Sequence, residues 1–106
     1  MKLGIIISTN DAETCWNALR YANYAIEQKY SARVFLMGKG VECYKSGTEK
    51  FNTMEQAEKF LKGGGNIFAC GTCIKARGEK ASNVCPISTL KDLDELVIES
   101  DKIVTF

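Results

Sequence analysis

Residues 3–7 form an unbroken run of leucine and isoleucine around one glycine, the pattern of a strand buried on both faces of a parallel sheet. Behind it, Ser8, Thr9, Asn10 and Asp11 supply capping side chains. Ala12, Cys15, Trp16, Leu19, Ala22 and Ile26 then recur at helical spacing, predicting an amphipathic helix over 12–29. Residues 33–37 predict a second strand, closed by Gly38-Lys39-Gly40. The stretch 41–51 has weak periodicity and turn residues at Ser46-Gly47, so it predicts no regular element. Asn52 and Thr53 cap a helix carrying Met54, Ala57, Phe60 and Leu61, which ends at three successive glycines, Gly63 to Gly65. Residues 66–69 predict a third strand, running directly into a short helix over 70–78 with a glycine stop. Thr89 caps Leu90, Leu93, Leu96 and Val97, and 102–106 is a last strand. Strands alternating with helices imply an α/β fold, a mainly parallel sheet of about five strands covered on both faces through right-handed crossovers.

At 106 residues, 45% hydrophobic and 25% charged, the chain has the size and composition of a single domain, 1–106, that folds without covalent staples. Fourteen basic against thirteen acidic residues leave a net charge of +1, with no long run of like charge, which argues against nucleic acid and anionic membrane as partners. The apolar N-terminal run stops at Ser8, too short for a signal peptide or a membrane span, and a cytoplasmic location is the expectation. In that reducing setting five cysteines are reactive, metal-binding or buried rather than structurally paired. Histidine is absent, which removes Ser-His-Asp and Cys-His catalysis. Chemistry must then rest on thiols, carboxylates, lysines or backbone amides, and no cofactor or resident metal is called for.

The candidate chemistry lies at Cys70-Gly71-Thr72-Cys73, where the third strand enters a helix. Ligands of open parallel sheets bind beyond the carboxyl ends of the strands. The expectation is that amides of the helix start, those of Thr72 and Cys73 among them, face Cys70, and that Lys75 and Arg77 add positive charge, all lowering its thiol pKa. Cys73, one turn on, is placed to attack a sulfur attached to Cys70 or to pair with it, and Gly71 leaves the approach open. Cys15 sits on the apolar stripe of the first helix and reads as core. Cys85, before the single proline Pro86, either swings over the site or ends a loop.

The segment Cys70-Gly71-Thr72-Cys73-Ile74-Lys75-Ala76-Arg77-Gly78, the first strand with the loop from Ser8 to Asp11, and residues 90–106 together resemble DsrE/DsrF-like proteins over essentially the whole chain. That resemblance implies a three-layer α/β/α sandwich, assembly into homotrimers or homohexamers, and a sulfurtransferase-like relay of persulfide sulfur. The sulfur-accepting cysteine would correspond to Cys70, about two helical turns before Arg77-Gly78. Sulfur donor and acceptor proteins, or polysulfide, would be its partners. Cys70 and Cys73 are then the candidate catalytic residues, with Gly71, Thr72, Lys75, Arg77 and Asn10 binding substrate.

Rival readings stay open. A thioredoxin-like dithiol would use the same Cys-x-x-Cys, but there the motif follows an early strand and faces a proline loop. Structural zinc on Cys43, Cys70, Cys73 and Cys85 lacks a second Cys-x-x-Cys. Nucleotide binding lacks both the dinucleotide and the P-loop glycine spacing. A non-catalytic structural or small-molecule-binding oligomer subunit would leave Cys70 buried and inert.

Overall fold

The computed structural model describes residues 1–78 and 87–106. Five strands, β1 (Lys2–Ile7), β2 (Ser31–Leu36), β3 (Asn66–Cys70), β4 (Ile87–Ser88) and β5 (Lys102–Thr105), form one sheet in the order β4-β3-β2-β1-β5. Every pairing is parallel, with Ile5 facing Val34 on one side and Val104 on the other. The connecting helices are α1 (Ala12–Glu27), α2 (Thr53–Lys62), α3 (Gly71–Ala76) and α4 (Leu90–Glu99), and a 3-10 segment (Gly38–Lys45) follows β2. This is the α/β sandwich that the alternation of strand and helix patterns implies. The 3-10 segment and the two-residue β4 are the elements that periodicity did not resolve.

Alternation along β1 divides the sheet's two faces. Leu3, Ile5 and Ile7 share a core with Cys15, Ala18, Leu19 and Ala22 of α1 and with Ala57 and Phe60 of α2. Gly4 lies on the opposite face, where a Cβ would come within 2.6 Å of Leu96 Cδ2. Helix α4 therefore packs close against β1, and Leu96 is fully buried there. Caps set the helix starts: Asp11 accepts from the Thr14 amide at 3.0 Å, Asn52 from the Glu55 amide at 3.1 Å, and Thr89 forms a reciprocal capping box with Asp92. Crossing from β4 at one edge to β5 at the other, α4 keeps Leu90 (69% exposed) and Ile98 (72% exposed) open to solvent. Ile87, Val97 and Ile103 are also exposed. No helix among the described residues is long and apolar enough to cross a membrane.

Candidate functional site

The carboxyl edge of the sheet brings together the end of β3, the loop after β1 and the start of the 3-10 segment. Cys70 is the last residue of β3 and the N-cap of α3, with extended backbone (φ −59°, ψ 117°), and the chain turns into helix immediately after it. Gly71 is required by packing: a Cβ there would meet Ile87 Cγ2 at 2.8 Å and the Ser88 carbonyl at 3.1 Å. Its missing side chain thus admits β4 beside it. Gly78, at φ +66°, ends the turn that follows α3, a conformation glycine adopts without strain.

Cys70 and Cys73 are both half-buried thiols. The Cys70 side chain accepts no capping hydrogen bond, so the expectation that the amides of Thr72 and Cys73 would face it is not met. α3 spans six residues, too short for a strong terminal field. The amide aimed at a sulfur comes from elsewhere: the Gly38 N–H donates to Cys73 Sγ at 3.2 Å. Gly38 reaches this position at φ +57°, in the left-handed region, with Met37 between it and the end of β2. The Cys73 thiol is held below the usual thiol range, first by a hydrogen bond from the Cys70 thiol, then by the Gly38 amide, with the Arg77 charge assisting and burial opposing. Negative charge at this pair is thus supported on Cys73.

Around this pair runs a polar chain. Arg77 donates to the Cys73 carbonyl at 3.2 Å and lies 3.9 Å from Glu42 Oε1, while Asn10 donates to Glu42 Oε2 at 3.0 Å. Asn10 and Arg77 are therefore joined through Glu42, a residue the sequence pattern did not single out, because it sits in the stretch without clear periodicity. On the other side of Cys70 a cleft of about 250 Å³ is lined by residues 70–72 and Lys75 facing residues 87–90. Thr72 and Lys75 are exposed at its rim. Within it, the buried Ser88 hydroxyl donates to Asp92, which together with the Thr89 amide holds that carboxyl below the ordinary range.

Cys43 does not join Cys70 and Cys73: it is buried beside Cys15. Among the described residues no group of three or more Cys, Asp or Glu is placed to hold a metal ion. Cys85 and Pro86 lie outside the described residues.

The fold and the sequence match known proteins along the whole chain. A solved structure, a conserved protein of unknown function from Bacteroides thetaiotaomicron, superimposes with a TM-score of 0.78 over 99% of this chain and 94% of that one, at 19% identity. An uncharacterized protein of Methanocaldococcus jannaschii is 32% identical over 114 aligned positions, covering all of both chains. One of Methanopyrus kandleri is 34% identical over 89% of this chain and 83% of its own. The model of the DsrE/DsrF-like family matches residues 1–106. The chain belongs to the DsrE/DsrF-like family.

Proposed function

We propose that the chain is a sulfur carrier in which Cys70 accepts sulfane sulfur and Cys73 manages the proton and the release. The observation that supports this reading is the Gly38 amide on Cys73 Sγ at 3.2 Å, one turn from Cys70, which lines a cleft; the hydrogen bond from Cys70 adds to it. Membership of a family of sulfur-relay proteins supports it. In loading, Cys73 sulfur takes the proton of Cys70 as Cys70 attacks the outer sulfur of a donor persulfide. The donor's S–S bond breaks, the donor leaves as a thiolate, and Cys70 carries the persulfide. In direct transfer, an acceptor thiolate attacks that outer sulfur and Cys70 leaves as thiolate. In the alternative release, Cys73 thiolate attacks the inner sulfur, expels hydrosulfide and closes a Cys70–Cys73 disulfide, which a dithiol reductant then reopens. Lys75 and Thr72 at the rim of the cleft meet the anionic donor, while Asn10 acts through Glu42 to hold Arg77.

The carrier works as a homotrimer or homohexamer in the cytoplasm, and the apolar side chains left open on α4 and β5 support self-association. Sedimentation equilibrium checks the assembly.

The decisive experiment is intact-protein mass spectrometry after incubation with polysulfide, with peptide mapping of the added sulfur. The wild type gains sulfur on Cys70, Cys70→Ser gains none there, and Cys73→Ser loads but releases no sulfide through a disulfide. Loading of Cys70→Ser at the wild-type level overturns the reading. A Cys70–Cys73 disulfide as the sole product would replace it with a dithiol redox protein.

A further inference from the structure

The 3-10 segment touches sulfur at both ends. Gly38 at its start donates to Cys73, and Cys43 near its end meets Cys15 of α1. Cys15 and Cys43 are both fully buried in the core between the sheet and α1. The Cys43 thiol donates a hydrogen bond to the Cys15 sulfur, and the Cys15 thiol donates to the Thr9 carbonyl at 3.3 Å. The Ser46 hydroxyl completes the cluster, 3.7 Å from Cys15 Sγ and 3.0 Å from the Cys43 carbonyl. Cys15 is held below the usual thiol range, chiefly by the hydrogen bond from Cys43, with Ser46 assisting, against burial and the Asp11 charge. An apolar stripe on α1 explains why a small residue is buried at position 15. It does not explain a second fully buried cysteine beside it, with one hydroxyl bonded both to the Cys15 sulfur and to the Cys43 carbonyl.

We propose that Cys15 and Cys43 are a second dithiol, which closes to an intrachain disulfide under a low-molecular-weight disulfide and so ties α1 to the 3-10 segment. In the first step Cys15 thiolate attacks one sulfur of the oxidant, the oxidant's S–S bond breaks, and one thiolate leaves. In the second, Cys43 thiolate attacks the Cys15 sulfur of the mixed disulfide and expels the other thiolate. The protein loses two protons and two electrons, and the oxidant is reduced to two thiols. Because both sulfurs are buried, the first step passes through a local opening of the 3-10 segment, a short element of poorer hydrogen-bond geometry than the α-helices around it. Closure restricts the unfolded chain, and it anchors the element that also carries Gly38 and Glu42. The proposal does not rest on the sulfur-relay reading, since neither thiol takes part in it.

The test uses the full-length reduced protein and 2-hydroxyethyl disulfide, a small uncharged oxidant. Remaining thiols are alkylated in denaturant and the linked peptides mapped without reduction. The expected product is a Cys15–Cys43 linked peptide, formed equally in the Cys70→Ser/Cys73→Ser double variant, with Tm raised by about 10 °C. Cys43→Ala shows neither the linked peptide nor the rise. Recovery of Cys15 and Cys43 as alkylated thiols, as lasting mixed disulfides, or linked to Cys70, Cys73 or Cys85, overturns the proposal. The mapping on the wild type decides the matter even if Cys43→Ala fails to fold.

Discussion

Two thiol pairs touch one short element, the 3-10 segment, and their surroundings differ in kind. Cys70 and Cys73 lie half-buried at the carboxyl edge of the sheet, beside a cleft, and the hydrogen bonds reaching Cys73 come from a backbone amide and a partner thiol. Cys15 and Cys43 lie in the core, wrapped by apolar side chains of α1 and β1, with Thr9 and Ser46 as polar neighbours. A thiol becomes useful to a substrate through access together with support for its anion, and only the outer pair has both. The inner pair has the contact but not the access, which suits it to a slow change in the state of the fold. The difference teaches that cysteine count and spacing say little until topology assigns each sulfur a neighbour.

The sharpest way to break this comparison is to remove one sulfur from each pair. Cys70→Ala is expected to abolish sulfur loading while leaving urea stability within about 0.5 kcal/mol, because a half-exposed thiol contributes little packing. Cys43→Ala is expected to load normally and to lose about 1–2 kcal/mol, since it opens a small void in a closed core and strips Cys15 of its donor. Mass spectrometry and urea denaturation on the two variants check both halves. Loss of loading in a folded Cys43→Ala protein would mean that the pairs act as one.

Two glycines of the shared element test what holds it in place. At Gly40 a Cβ would fall 1.9 Å from the Ile7 carbonyl oxygen and 2.6 Å from its carbon, so Gly40→Ala must push the 3-10 segment off the end of β1. A loss of about 3 kcal/mol is expected, because backbone cannot yield as a side chain does. At Gly38 nothing among the described residues lies within 4 Å of an added Cβ, and its φ of +57° is what resists substitution. Gly38→Ala should therefore cost about 1 kcal/mol. Urea denaturation of both variants orders them. Equal losses would mean that the close approach to Ile7 does not hold the segment.

How far these features were legible in the sequence follows the same division. β1, α1, β3, α4 and β5 were legible because long buried runs and helical stripes are local signals: Ile5 and Ile7 are fully buried, and Cys15, read as core, is fully buried too. The position of Cys70 at the strand end was likewise local. The Gly38–Cys73 contact spans 35 residues and depends on β2 and β3 lying side by side, so Gly38-Lys39-Gly40 read only as a turn. Glu42 and Cys43 fall on a 3-10 segment with no period to reveal it. β4 pairs through two residues, below what a pattern can signal, yet it walls the cleft.

The pH behaviour of Cys73 sharpens the account of the outer pair. Its pKa in the folded chain lies below the free value of about 8.5, so the hydrogen bonds from Cys70 and Gly38 stabilise the fold at pH above that free value. The stabilisation is lost as pH falls through the depressed folded value. Iodoacetamide labelling of Cys73, followed by peptide mapping against pH, should have its midpoint below that of a free thiol. Cys70→Ala removes the first hydrogen bond and should move the midpoint up. A midpoint unchanged by that substitution would show that the Cys70 thiol does not support the Cys73 anion.

The smallest expected effect falls on the polar chain beside the pair, and its sign carries the information. Arg77 lowers the Cys73 pKa by its charge, and Glu42, a negative charge 3.9 Å from Arg77, is expected to oppose that field while holding the guanidinium in place. Both side chains are about a quarter exposed, so the ion pair is screened and worth under about 0.5 kcal/mol of stability. Arg77→Gln should raise the Cys73 labelling midpoint slightly. Glu42→Gln keeps an oxygen for the Asn10 amide and removes one negative charge near the sulfur, so it should lower the midpoint by a similar small amount. If the Glu42→Gln midpoint rises instead, the carboxylate serves chiefly to position Arg77. Asn10→Ala should then shift it the same way, because Asn10 holds Glu42, which holds Arg77.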